Sequence, residues 1–123
     1  VPSEKHRAIY ETVRRANAAA EAILKPGVPL CEVDKAARQI IEDAGYGPNF
    51  THRLGHFIGL EVHEYGDVSS ANTKVAEVGN IFSIEPGIYV EGEVGVRIED
   101  LVLITEDGCE ILNSFSKELD IVE

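Results

Sequence analysis

Apolar positions recur every three to four residues through the first third of the chain and at every second residue near its end, so it opens helical and closes as sheet. The first pattern predicts a helix over residues 3–24, with Ile9, Val13, Ala16, Ala20 and Ile23 in one stripe. Ser3 is placed as N-cap, Glu4 lies in the first turn, and Lys25-Pro26-Gly27 stops the helix. The many alanines make the stripe thin, which suits close packing against a sheet or a second helix. His6 has charged neighbours and reads as a solvated surface residue. A second helix is predicted from Cys31 to Ala44, with Val33, Ala36, Ala37, Ile40, Ile41 and Ala44 buried and Gly45 as the stop. The short Pro26 to Leu30 link makes the two helices sequential neighbours, packed antiparallel. Neither helix carries a chemical constellation, and both read as scaffold.

From Tyr46 the character changes. Gly45-Tyr46-Gly47-Pro48 is a loop, and three of the four histidines (His52, His56 and His63) then fall within twelve residues, interleaved with glycines and apolar side chains. Residues 65–78, with Gly66, Ser69, Ser70 and Asn72, read as a surface loop at the rim of a pocket. Two strand-like runs follow between Gly79 and Thr105, joined by Glu91-Gly92-Glu93. On the second run, alternation puts Arg97, Glu99, Leu101 and Leu103 on one face and Val96, Ile98, Asp100, Val102 and Ile104 on the other. Glu106-Asp107-Gly108 turns the chain into a third antiparallel strand, Cys109 to Leu112, and the tail from Asn113 onward is expected to pack loosely. The fold class is therefore α+β, two N-terminal helices packed on an antiparallel sheet.

Composition narrows the classes. The 123 residues form one domain, 44% hydrophobic and 27% charged, long enough to bury a core. The net charge of −11 argues against nucleic acid or an anionic membrane as partner. There is no apolar run of membrane length and no signal-peptide pattern, so a cytoplasmic location is expected, with Cys31 and Cys109 as scattered buried thiols rather than a disulfide.

The hairpin poses an electrostatic problem. Folded symmetrically about Gly92, it sets Glu85 opposite Glu99. Like charges facing each other on a sheet are destabilising, and two carboxylates ~4 Å apart repel by about 4 kcal/mol at an effective dielectric near 20. Protonation of one, an intervening Arg97, or a cation between them each resolves the conflict. The histidines tip the balance toward metal, since imidazole with two carboxylates suits zinc, manganese, cobalt or iron(II). The spacings of four and seven residues, with glycines between, are not the His-Glu-x-x-His helix of zinc proteases.

The order His52-x-x-Gly55-His56-x-x-Gly59-Leu60-x-x-His63-Glu64, then Ile84-Glu85-Pro86-Gly87-x-Tyr89, then Gly95-Val96-Arg97-Ile98-Glu99-Asp100 resembles the pita-bread metallopeptidases, in the Xaa-Pro dipeptidase (prolidase) and aminopeptidase P branch. The likeness runs through both helices to the Asp107-Gly108 turn. It implies that His56, Glu85 and Glu99 are metal ligands, with Glu99 bridging two ions (manganese, cobalt or zinc) and Glu85 doubling as general base and acid. It implies that His63 steadies the tetrahedral intermediate, that His52 lies near the scissile bond, and that Arg97 and Tyr89 orient ligands and substrate. The substrate implied is a proline-containing peptide.

The chain departs from that pattern in one respect. The family's catalytic domain is about twice this length, and its two aspartate ligands lie in an Asp-x-Gly context followed by a Ser-Asp-x-Thr-Arg-like segment; no Ser-Asp-x-Thr-Arg-like segment occurs here. The expectation is a C-terminal half-domain, residues 1–123, whose N-terminal half is absent and whose metal site is incomplete alone. A half-domain exposes apolar surface and is expected to form a homo-oligomer. The competing expectation is a non-catalytic half-domain that oligomerises or binds a partner.

Overall fold

The structure is a computed structural model and describes residues 3–58, 67–116 and 120–121. Helix α1 spans Glu4–Ile23 and begins as its first residues dictate, with the Ser3 hydroxyl accepting from the His6 amide at 3.2 Å. Helix α2 spans Leu30–Asp43 and has Pro29 at its N-cap, with no side-chain cap. Its free amides are satisfied elsewhere: Leu30 N donates to Lys74 O and Cys31 N to Asn72 O, both at 2.8 Å. The segment after residue 68 is thus tied down against the start of α2, and Val68 and Ala76 are buried. It is less of a free surface loop than its polar sequence suggests. Gly45, just past α2, adopts a φ of 90°, the left-handed stop that its position implied.

A 3-10 turn at Gly47–Asn49 leads to strand β1 (Gly55–His56), which pairs antiparallel with β2 (Asp67–Val68). The main sheet is built on one long central strand, β5 (Val94–Ile104). Strands β3 (Ile81–Ile84) and β4 (Gly87–Val90) flank one side of it; β6 (Cys109–Ser116) and β7 (Asp120–Ile121) flank the other. All of these pairings are antiparallel. The chain beyond Asn113, expected to pack loosely, instead continues β6 to Ser116 and returns as β7. A register shift between Leu101 and Val102 lets β6 follow the twist of β5 past the point where alternation alone would end it.

The buried face of β5 carries Val94, Val96, Ile98, Asp100, Val102 and Ile104, and α1 packs on β5 through Ile9, Val13, Ala16 and Ala20. Each large aliphatic side chain buried there contributes about 1.5–3 kcal/mol of transfer free energy. Three details of the helical stripes differ from expectation. Leu24 is buried while Ile23 is 37% exposed, because the chain leaves helical geometry at Leu24. Leu30 and Asp34 are buried on α2, whereas Ala44 lies past its end and is exposed. The His6 side chain is only 12% exposed and stands 3.5 Å from Glu93 on the β4–β5 turn, so it is no solvated surface histidine. Cys31 and Cys109 are free and half-buried. No helix among the described residues is long and apolar enough to cross a membrane.

Candidate metal centre

The hairpin register answers the first geometric question. Ladder pairs Ser83/Leu101 and Ile84/Asp100 on β3 and Gly87/Arg97 and Ile88/Val96 on β4 share one register, which places Glu85 opposite Glu99. Pro86 lacks an amide, so the ladder breaks there into two strands, yet its carbonyl still accepts from Ile98 N at 3.3 Å and keeps the register through the break. The opposite flank of the Glu85 backbone faces another segment: Glu85 N donates to Leu54 O at 2.7 Å, and Ile58 N to Ile81 O at 2.9 Å. Residues 54–58 thus run beside β3 and carry His56 to the carboxylates. Gly55 is required for that approach, because a Cβ there would overlap the Ser83 carbonyl.

One ligand atom each from His56, Glu85 and Glu99 can be chosen so that all three lie within 4.8 Å of one another. His56 Nε2 is 3.4 Å from Glu85 Oε2, while His56 Nδ1 faces Phe57 O at 3.4 Å. A carbonyl and a carboxylate both only accept, so the single N–H of a neutral ring serves one of these contacts and leaves the other nitrogen's lone pair facing an oxygen. Two acceptors brought together in this way need a cation or a proton between them. Ser83 orders the group, donating to Glu85 Oε2 at 2.6 Å and accepting from His56 N at 3.0 Å. The donor set of one imidazole nitrogen and two carboxylates fits a divalent ion of the zinc or manganese type.

Arg97, on the same face of β5 as Glu99, approaches both acids at the limit of ion pairing, 4.0 Å to Glu85 and 3.8 Å to Glu99. Its Nε is buried without a hydrogen-bond partner. The guanidinium lies near both charges without neutralising either by a close bond. His52 and Tyr89 form a second pair beside it: His52 Nδ1 lies 2.7 Å from Arg53 O and Nε2 lies 3.0 Å from the Tyr89 hydroxyl. In the neutral ring Nδ1 therefore donates and the tyrosine donates to Nε2. Burial raises the Tyr89 pKa, with Arg97 pulling it the other way. An open cleft of about 300 Å³ runs between these groups, lined by His52, Arg53, Gly55, His56, Glu85 and Arg97. Thus His56, Glu85, Glu99, Arg97, His52 and Tyr89 converge, while His63 lies outside the described residues. Ser83 was missed by sequence reasoning, since a serine inside a strand carries no signal of its own.

The comparisons with known proteins agree with this geometry. The model of metallopeptidase family M24 matches residues 1–106. An uncharacterized peptidase of Staphylococcus haemolyticus (strain JCSC1435) is 54% identical over 116 residues, which cover 94% of this chain and 33% of that protein. The chain thus spans about a third of the length of the curated relatives it matches. Among solved structures, the prolidase from Pyrococcus furiosus superposes with a TM-score of 0.89 at 46% identity, covering 95% of this chain and 35% of that one. The X-Pro aminopeptidase from Thermotoga maritima MSB8 gives 0.87 at 42% identity, covering 96% and 34%. The two helices and antiparallel sheet are a portion of the pita-bread fold, and the chain belongs to metallopeptidase family M24.

Proposed function

We propose that this chain supplies half of the catalytic centre of a peptidase that cleaves the bond preceding proline. The observation that carries this is the convergence of His56, Glu85 and Glu99 from three separate segments to within 4.8 Å of one another, with His56 and Glu85 lining an open cleft. A divalent ion held by these residues supplies Lewis-acid polarisation of a carbonyl and acidification of water. Each side chain then has a part that its surroundings support. Among the described residues, Glu85 has one oxygen held by Ser83 and the other in a long 4.0 Å contact with Arg97, which leaves that oxygen available to take and return a proton. Glu99, opposite, would supply the second carboxylate to a bound ion. The Tyr89 hydroxyl fixes the His52 ring at the cleft wall, where it can meet the peptide near the scissile bond. His63, by resemblance, contacts the substrate carbonyl.

Three donors leave the remaining coordination positions of a two-ion centre to other residues. We assign these to a further half-domain of the same catalytic unit, consistent with the 33% coverage of the relatives. The preference for proline rests on the resemblance and on the names of the prolidase and X-Pro aminopeptidase that the chain superposes on. The deciding experiment measures bound metal and hydrolysis of Gly-Pro and Ala-Pro dipeptides under added manganese or cobalt, with and without the remaining half supplied in trans. Turnover that appears only on complementation supports the half-site reading. Metal uptake with cleavage of other dipeptides, and none of Xaa-Pro, refutes the proline preference alone.

A second reading follows from Arg97. Its guanidinium lies within 4.0 Å of both carboxylates, so this cation can offset them without metal, as a non-catalytic module that self-associates or binds a partner would need. Absence of both metal uptake and turnover, even with the other half present, favours that reading.

A further inference from the structure

We propose that Asp34 and Arg38, a largely buried ion pair on α2, are positioning residues that set the His52 ring and the His56–Glu85 contact. It gives α2, expected to be scaffold, a part in holding the candidate site. For its metal readout the proposal rests on the reading of His56, Glu85 and Glu99 as a metal site.

The geometry is specific. Asp34 is fully buried, and Arg38 grips it with Nε on Oδ2 at 2.9 Å and one terminal nitrogen on Oδ1 at 3.2 Å. The same guanidinium donates to Phe50 O at 3.1 Å and to His52 O at 3.0 Å, and its carbon sits 4.0 Å from the centre of the Phe50 ring. Asp34 Oδ1 accepts in addition from Leu54 N at 3.1 Å. Residues 50, 52 and 54 of the bent segment leading into β1 thus turn main-chain polar groups toward one ion pair. Among the described residues no sheet neighbour takes the carbonyls of Phe50 or His52. Without the pair, no other described group holds those carbonyls in place.

Two lines of contact lead from this pair into the cleft. In the first, Phe50, held under Arg38, packs edge-on against the His52 ring with centroids 5.1 Å apart, and that ring reaches the Tyr89 hydroxyl. In the second, Leu54 links the two sides: its amide is shared between Asp34 Oδ1 at 3.1 Å and Val68 O at 2.9 Å, and its carbonyl accepts from Glu85 N at 2.7 Å. The buried Asp34 carboxylate is therefore one peptide unit away from the backbone of a proposed metal ligand, and His56 follows two residues later. A planar five-donor guanidinium can bind a carboxylate and two carbonyls together, whereas the ammonium of a lysine cannot span them.

The test uses the 123-residue chain with Arg38→Met, which keeps the apolar stem over Phe50, and Arg38→Lys. The first readout is the nitrogen NMR spectrum of the His52 ring, which reports which nitrogen holds the proton. The second is zinc affinity by titration calorimetry. Arg38→Met is expected to move His52 from a ring protonated at Nδ1 to a tautomer mixture and to weaken zinc binding about 10- to 100-fold. Arg38→Lys is expected not to restore either. Arg14→Ala, which removes a surface ion pair with Glu11, should change neither. Should Arg38→Met fail to fold, Arg38→Gln decides, because one amide donor reaches only one of the two carbonyls. A variant that melts earlier but keeps the His52 tautomer overturns the proposal. If the unmodified chain takes up no zinc, the metal reading fails, and the His52 spectrum still decides whether the pair positions this segment.

Discussion

Glu85 and Glu99 face each other across the break that Pro86 makes in the hairpin ladder, and His56 closes the third side of the space between them. Two like charges kept opposite each other cost stability in a chain with nothing between them. Glu99→Gln should therefore move two measurements in opposite directions. Thermal stability without metal should rise by up to about 1 kcal/mol as the repulsion is relieved. Affinity for manganese or zinc should fall about 10- to 100-fold by calorimetry, as for loss of an orienting partner or more. Unchanged affinity removes Glu99 from the ligand set.

Ser83 touches both His56 and Glu85 from a fully buried position. Ser83→Ala leaves a backbone amide and a carboxylate oxygen short of a partner, at a cost of about 1–3 kcal/mol. Chemical denaturation should show that loss, and metal titration should show weaker binding, since the imidazole and carboxylate are no longer tied together. A variant with full stability and unaltered affinity contradicts this account of the centre.

Glu21 on α1 meets Asp100 on the buried side of β5, where burial and a hydrogen bond with Asp100 push its pKa up to about 9. The folded chain thus holds a proton that the unfolded chain releases near the ordinary glutamate value of 4.5. Between those values the native state binds more protons, so this group's contribution to stability falls as pH rises through that window and levels off above it. Glu21→Gln keeps a hydrogen-bond donor toward Asp100 and removes the titration. Melting curves from pH 5 to 9 should show a flatter decline for the variant, with a gain of about 1 kcal/mol at pH 8 after allowing for solvent screening of a half-exposed group. Parallel curves for the two proteins count against the raised pKa.

The outward face of β5 is partly open among the described residues. Leu101 and Leu103 are half-exposed on it, and Ile111 and Leu112 on the neighbouring β6 are 48% and 42% exposed. Apolar area of this kind drives association. Light scattering at micromolar concentration is expected to give a mass above the 13.4 kDa of one chain. A clean 13.4 kDa species rules out the homo-oligomer.

The sequence by itself determined those features whose cause is local. Ser3 caps α1, Gly45 ends α2, and the alternation from Val94 to Ile104 divides β5 into a buried and an open face. The turn at Gly92, with its φ of 75°, set a register that already placed Glu85 opposite Glu99. The motif order supplied the family. Only the tertiary structure decided what depends on segments far apart in the chain. His6 is covered because the β4–β5 turn brings Glu93 to it, eighty-seven residues away. Residues 113–116 join the sheet because β5 offers an unpaired edge, which their polar composition could not announce. Asp34 and Arg38 show the limit most clearly. Four residues apart on a helix, they have the spacing of an ordinary surface pair. They bind the His52 segment because the chain after α2 folds back over them and brings its unpartnered carbonyls within reach. Spacing along a helix states which side chains can meet each other, and burial by distant chain decides what else they must hold.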